Sequence, residues 1–193
     1  MSGAYLKAVT EASPQARVIF DRFHVQRLAH DALDEVRRDE VREAEPEDRA
    51  ALKKTRFALH KNPWNLSTLE AAKVAEVQKA NRPLYRAYLL KETLAAILGG
   101  RQVNVARRKL LEWTSWAVRS RLEPFRKLAR TVQSHLEGIL AYVATGLSNG
   151  RTEGLNGKIR TITRRSFGFH SASSLVALIY LCCSGITLQP VHR

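Results

Sequence analysis

A chain of 193 residues with 45% hydrophobic side chains can bury the core of one domain, or of one domain plus an insertion, which excludes a disordered tail. Lys and Arg number 32 against 18 Asp and Glu, and the net charge of +14 attracts polyanions, so nucleic acid is the expected partner; a basic protein without that role remains the alternative. Adjacent Cys182 and Cys183 suit neither a strain-free disulfide nor C-x-x-C zinc spacing, so a reduced, cytoplasmic protein is expected in which both pack as small hydrophobes. The longest apolar run, Leu175 to Cys183, is about half of the ~20 residues a membrane span needs, and no membrane association is expected.

In chain order, Tyr5, Leu6 and Val9 stand at helical spacing within residues 2–11. Ser13-Pro14 stops that pattern before the β-branched run Arg17-Val18-Ile19-Phe20, which reads as a buried strand. From Phe23 onward Leu28, Leu33 and Val36 recur at helical intervals, so Asp21 falls where strand hands over to helix. Every segment from there to about Thr145 reads as helix, with breaks at Glu45-Pro46, Asn62-Pro63, Asn81-Arg82-Pro83, Gly99-Gly100 and Glu123-Pro124. Ser67-Thr68-Leu69-Glu70 has capping-box spacing. Ala106, Leu110, Trp113 and Ala117 form one stripe, and Trp113 and Trp116 are expected in the core rather than as base-stacking platforms. After the break at residues 146–150, Arg151 to Thr163 reads as a helix capped by Ser148 or Asn149. The segment from Ser173 to Cys183 is apolar nearly all round and suits a buried helix or a buried strand; Ser171 and Ser173 favour the helix.

Two positions carry chemical interest. Asp21, at the expected end of a strand, has the placement of a ligand-binding carboxylate in an α/β crevice, and equally that of a cap for the next helix. Glu153 shares a helix face with Asn156 or Gly157 and with Arg160, while Gly154 and Gly157 cost roughly 1 kcal/mol each relative to Ala and so imply close approach of backbone or ligand. Lys158, Arg160, Arg164 and Arg165 suit phosphate contacts, with a merely solvated basic face as the alternative.

Val18-Ile19-Phe20-Asp21-Arg22-Phe23-His24-Val25 and Ser148-Asn149-Gly150-Arg151-Thr152-Glu153-Gly154-Leu155-Asn156-Gly157-Lys158-Ile159-Arg160 resemble the second-Asp and Glu motifs of the ISL-three type of DDE insertion-sequence transposases. The resemblance extends to Leu90-Lys91-Glu92 with its preceding tyrosines and to Ser166-Phe167-Gly168-Phe169. It implies a mainly α chain with an α/β core remnant: a truncated ribonuclease-H-like catalytic domain with a large all-helical insertion. Residues 1–30 would be the core remnant carrying the second Asp, 31–147 the insertion and 148–193 the C-terminal core helices carrying the Glu. By the same resemblance Asp21 and Glu153 are catalytic metal ligands for two Mg²⁺ or Mn²⁺ ions, which as hard cations prefer carboxylate oxygen and stabilise entering and leaving oxygens in phosphodiester displacement. DNA, as transposon ends and target, is the implied partner, and the intact protein is expected to be a homo-oligomer. His24 and Asn156 are expected to support the metal ligands or phosphate, with a structural role for His24 at the helix start equally open.

Family members carry the first Asp on an earlier strand, just before a segment resembling residues 1–9, and an N-terminal zinc-binding and helix-turn-helix region. Met1 is therefore expected to be an internal methionine of a longer family sequence. Glu11, Asp31 and Asp34 lie on expected helices and lack strand-end geometry, so none replaces the first Asp. The alternative is a catalytically inactive DNA-binding or co-assembling transposase remnant.

Overall fold

A computed structural model describes residues 3–166 and 168–184. Met1, Ser2 and Phe167 of the motif segments lie outside them. The chain divides into two compact units, residues 1–147 and residues 148–193.

The described residues of the first unit form α1 (Gly3–Ala12), α2 (Arg22–Glu43), α3 (Pro46–Lys53), α4 (Arg56–His60), a 3-10 turn (Pro63–Asn65), α5 (Thr68–Ala80), α6 (Arg82–Leu98), α7 (Val103–Arg119), α8 (Glu123–Ser134) and α9 (Leu136–Thr145). The second unit contains α10 (Gly150–Arg165) packed on α11 (Ala172–Cys183). The protein is mainly α, and the described residues contain no β-strand. No helix among them is long and apolar enough to cross a membrane.

Helix α2 runs unbroken because Val25, Ala29, Leu33 and Val36 return to one buried face every three or four residues. It packs against α6 and α8, and α7 covers α6 and α8 in turn. The core contains Leu33, Leu84, Leu90, Leu94, Leu110, Trp113, Phe125 and Ile139, all 2% exposed or less. Asn81 locks the start of α6: its Oδ1 accepts from the Leu84 N–H at 2.9 Å while its Nδ2 donates to Glu40 of α2 at 2.8 Å. The Ser67–Glu70 capping box forms as expected. Gly146 ends α9 at φ 65°, a left-handed cap that glycine adopts without a Cβ penalty.

The expected strand at Arg17–Phe20 does not form. A β-branched run favours extended backbone, but a strand also needs a ladder partner. The Phe20 N–H instead donates to the carbonyl of Gly138 in α9 at 3.1 Å, and its ring meets His135 at 4.4 Å between centroids. Gly138 permits this approach, since a Cβ there would lie 2.3 Å from Phe20 Cδ2. Residues 18–20 are half-buried rather than buried. The expectation of a buried C-terminal segment fails as well. Residues 172–183 form the favoured helix, but none is buried: Val176, Tyr180 and Cys182 are exposed and Cys183 is only partly covered.

A polar cluster sits inside the first unit. Lys91 of α6 is 2% exposed; its Nζ donates to the carbonyls of Leu59 at 2.7 Å and Lys61 at 3.2 Å and pairs with Glu92. Nearby, the rings of His30 and His60 lie 5.0 Å apart. Burial, then the Lys91 ammonium and His60, pull His30 down to about 4 against the opposing charge of Asp31. His60 is also lowered, by burial first, with Asp34 opposing and Lys91, Arg56 and Arg37 adding. Unfolding restores both imidazoles to their ordinary value near 6.5, so between that value and about 4 the unfolded chain binds more protons than the folded one. The stability from keeping them neutral is complete above pH 6.5 and is lost as pH falls toward 4. The urea midpoint should therefore drop between roughly pH 7.5 and 4.5, and drop less in His30→Leu. Equal pH dependence in the two proteins would refute the assignment to His30.

Candidate functional site

The seat of Phe20 on α9 delivers the next residue, Asp21, to the start of α2. Asp21 is 7% exposed, with extended backbone (φ −59°, ψ 139°), and its Oδ1 accepts from the Phe23 N–H at 2.9 Å. Its carbonyl accepts from His24 at 3.1 Å and Val25 at 3.4 Å. One carboxylate oxygen thus serves the cap at the start of α2. Arg22 lies over the Phe23 ring at 4.9 Å, and the His24 side chain is exposed.

Glu153 occupies the first turn of α10 in the second unit, again at the helix end that favours a negative charge. Glu153, Asn156, Lys158, Arg160, Arg164 and Arg165 are all exposed on this one helix. Steps of four, three and four place Glu153, Gly157, Arg160 and Arg164 along one face. A Cβ at Gly154 or Gly157 would meet nothing within 4 Å. The close approach expected at these glycines is not made by the described residues of the second unit. Thr161 and Thr163, also exposed, donate to the carbonyls of Gly157 at 3.0 Å and Ile159 at 2.9 Å. Among the described side chains, the charges exposed on α10 are Glu153 and four cations, Lys158, Arg160, Arg164 and Arg165.

Asp21 and His24 belong to the first unit, and Glu153, Asn156 and the four cations to the second. Among the described residues no group of three or more His, Cys, Asp or Glu side chains is placed to hold a metal ion. The donor type of Asp21 and Glu153 suits a hard divalent cation. Phe57 and Trp64 are exposed, within residues 49–69, which contain no Asp or Glu.

The chain is basic and mainly helical, with one carboxylate capping α2 and another in the first turn of α10. Residues 1–179 match the family model described as a transposase, and the chain belongs to the ISL-three type of DDE transposases. It is 38% identical to the transposase for insertion sequence element IS1557 of Mycobacterium tuberculosis, in strains CDC 1551 / Oshkosh and ATCC 25618 / H37Rv, over 92% of this chain and 45% of the relative. It is 31% identical to the transposase for insertion sequence element IS1001 of Bordetella parapertussis, over 88% of this chain and 42% of that relative. The chain thus spans less than half the length of the curated relatives it matches. No solved structure matches it.

Proposed function

We propose that this chain is the C-terminal part of the catalytic domain of a DNA transposase, which in the intact protein cleaves and joins DNA with divalent cations, Mg²⁺ or Mn²⁺. The observation that carries the reading is Glu153 at the head of an exposed cationic helix, in a chain of this family. In this reading residues 1–30 belong to a ribonuclease-H-like core, 31–147 form a helical insertion, and 148–193 return to the core. Asp21 and Glu153 are two carboxylate ligands, and a further acid outside the described residues completes the set. His24 and Asn156 orient the ligands or phosphate, while Lys158, Arg160, Arg164 and Arg165 hold phosphate oxygens. The intact protein acts on DNA in the cytoplasm as a homo-oligomer.

A second reading draws on the same exposed cations and on the absence of a three-acid group among the described residues: an inactive DNA-binding or co-assembling remnant. One set of assays separates the possibilities. The purified chain should bind duplex DNA, with affinity falling steeply as salt rises. Replacing the four α10 cations with Ala should flatten that dependence by up to about 0.9 log units per log salt for each phosphate that is no longer neutralised. Asp21→Ala and Glu153→Ala should leave duplex binding intact. Supercoiled plasmid should not be nicked by the chain alone in Mg²⁺ or Mn²⁺; nicking that Glu153→Ala abolishes would show that no further acid is required. Duplex affinity unaffected by the fourfold Ala variant would remove α10 from the interface.

A further inference from the structure

Among the described residues, Arg121 is the one non-glycine residue with a positive φ, at 64°. It follows Ser120, the C-cap of α7, at the position where a left-handed residue ending a helix is usually glycine. Gly146 takes nearly the same angle, 65°, at the end of α9, with no Cβ to strain. An arginine in this conformation does strain the backbone, and the turn is built to hold it. The Ser120 hydroxyl donates to the Ala117 carbonyl at 2.6 Å and accepts from the Leu122 N–H at 3.2 Å. From α6, Arg86 donates through Nη1 to the Ser120 carbonyl at 3.0 Å. Ser120 is 3% exposed, whereas Arg86, Arg119 and Arg121 are all exposed.

Three arginines therefore meet at one turn, because Arg119 and Arg121 flank Ser120 and the Arg86 guanidinium sits on its carbonyl. No carboxylate neutralises them. Among the described residues none of the three has an ion-pair partner, and Glu123, two positions on, is engaged by Arg126 at 3.1 Å and Arg130 at 3.0 Å. Gathered like charges and a left-handed arginine both cost stability, so the fold alone does not explain them; backbone strain of this kind collects at functional sites. We propose that Arg86, Arg119 and Arg121 form a contact for the phosphate backbone of duplex DNA. The guanidinium fork matches phosphate oxygens, and duplex phosphates follow one another closely enough for arginines of one turn to take up neighbouring ones. The contact lies in the first unit, whereas α10 lies in the second. It rests on the reading of DNA as partner and gives the helical insertion a hold on DNA that positions the duplex without reading its bases.

The test measures the affinity of the full chain for a labelled duplex across a salt series, with thermal melts of the same proteins. Arg121→Gly should raise the melting temperature by about 2–4 °C, because glycine adopts this φ without strain, and should nevertheless bind duplex more weakly. Combined with Arg119→Ala, it should reduce the slope of log affinity against log salt by up to about 1.8, two phosphates at about 0.9 each. Arg121→Lys keeps the charge and should keep the slope. Arg86 is left in place, since it also holds the Ser120 carbonyl. Arg101→Ala with Lys109→Ala removes the same charge elsewhere on the first unit and should change binding less. An Arg121→Gly protein with unchanged duplex affinity and slope would overturn the proposal and leave Arg121 a tolerated helix end. So would equal losses in the Arg101, Lys109 pair, because net charge alone would then account for binding. Failure of the unsubstituted chain to bind duplex would instead overturn the DNA reading itself.

Discussion

Trp113→Ala should lower the free energy of unfolding by about 3–5 kcal/mol, measured by urea or guanidinium denaturation. Trp113 projects from α7 into the junction with α6 and is 2% exposed. Its stripe partners Ala106 and Ala117 are small, and Leu110 is fully buried one turn before it. The indole therefore fills most of this part of the interface, and truncation leaves a cavity that neighbouring helices cannot close without moving their own side chains. The indole N–H also donates to the Leu90 carbonyl at 2.8 Å, a buried bond that Trp113→Phe would lose at a cost of about 1 kcal/mol beyond its smaller packing loss. Since single domains are stable by only about 5–15 kcal/mol, the Ala variant should be partly unfolded at physiological temperature. A loss below about 1 kcal/mol would mean that this interface is far less tightly packed than described.

Lys91→Met should be nearly as damaging, at about 3–5 kcal/mol, and for a different reason. Met approximates the length of the lysine stem but has no ammonium, so the Leu59 and Lys61 carbonyls each lose a donor and Glu92 loses its cation. Burial pulls the Lys91 ammonium below its ordinary range, while the hydrogen bond and charge of Glu92 raise it. Most of the expected loss comes from leaving Glu92 uncompensated, its side chain being 14% exposed. The double variant Lys91→Met, Glu92→Gln should accordingly recover part of the stability. Hydrogen exchange should show α4 and residues 61–66 loosening first, because Lys91 ties that backbone to α6. A double variant no better than the single one would locate the loss in the two carbonyls instead.

Residues whose signal is local were legible from the chain alone. Ser67 and Glu70 satisfy each other's backbone groups within one turn, Asn81 and Pro83 start α6, and the Ala106–Leu110–Trp113–Ala117 stripe becomes the buried face of α7. The break at Ser134–His135 was not legible, because nothing in that stretch resembles a Pro or Gly stop. The family was legible, since the order of its motif-like segments and the helical block between them can be read without coordinates.

Other features depend on what lies alongside. Val18, Ile19 and Phe20 favour extended backbone whatever surrounds them, but pairing into a strand requires a neighbour, and here α9 takes the Phe20 N–H through a glycine that leaves room for the ring. Residues 172–183 are apolar, yet composition does not say whether anything covers them, and none is buried. Trp113 and Trp64 show the same limit from opposite sides. Helical periodicity identifies Trp113 as core from sequence alone, whereas Trp64 is exposed beside a segment that Lys91, far along the chain, holds by the Leu59 and Lys61 carbonyls. Local patterning by itself determined where helices start, stop and turn their apolar faces; tertiary packing decided which extended or apolar segments found partners, because pairing and burial depend on groups that local sequence does not contain.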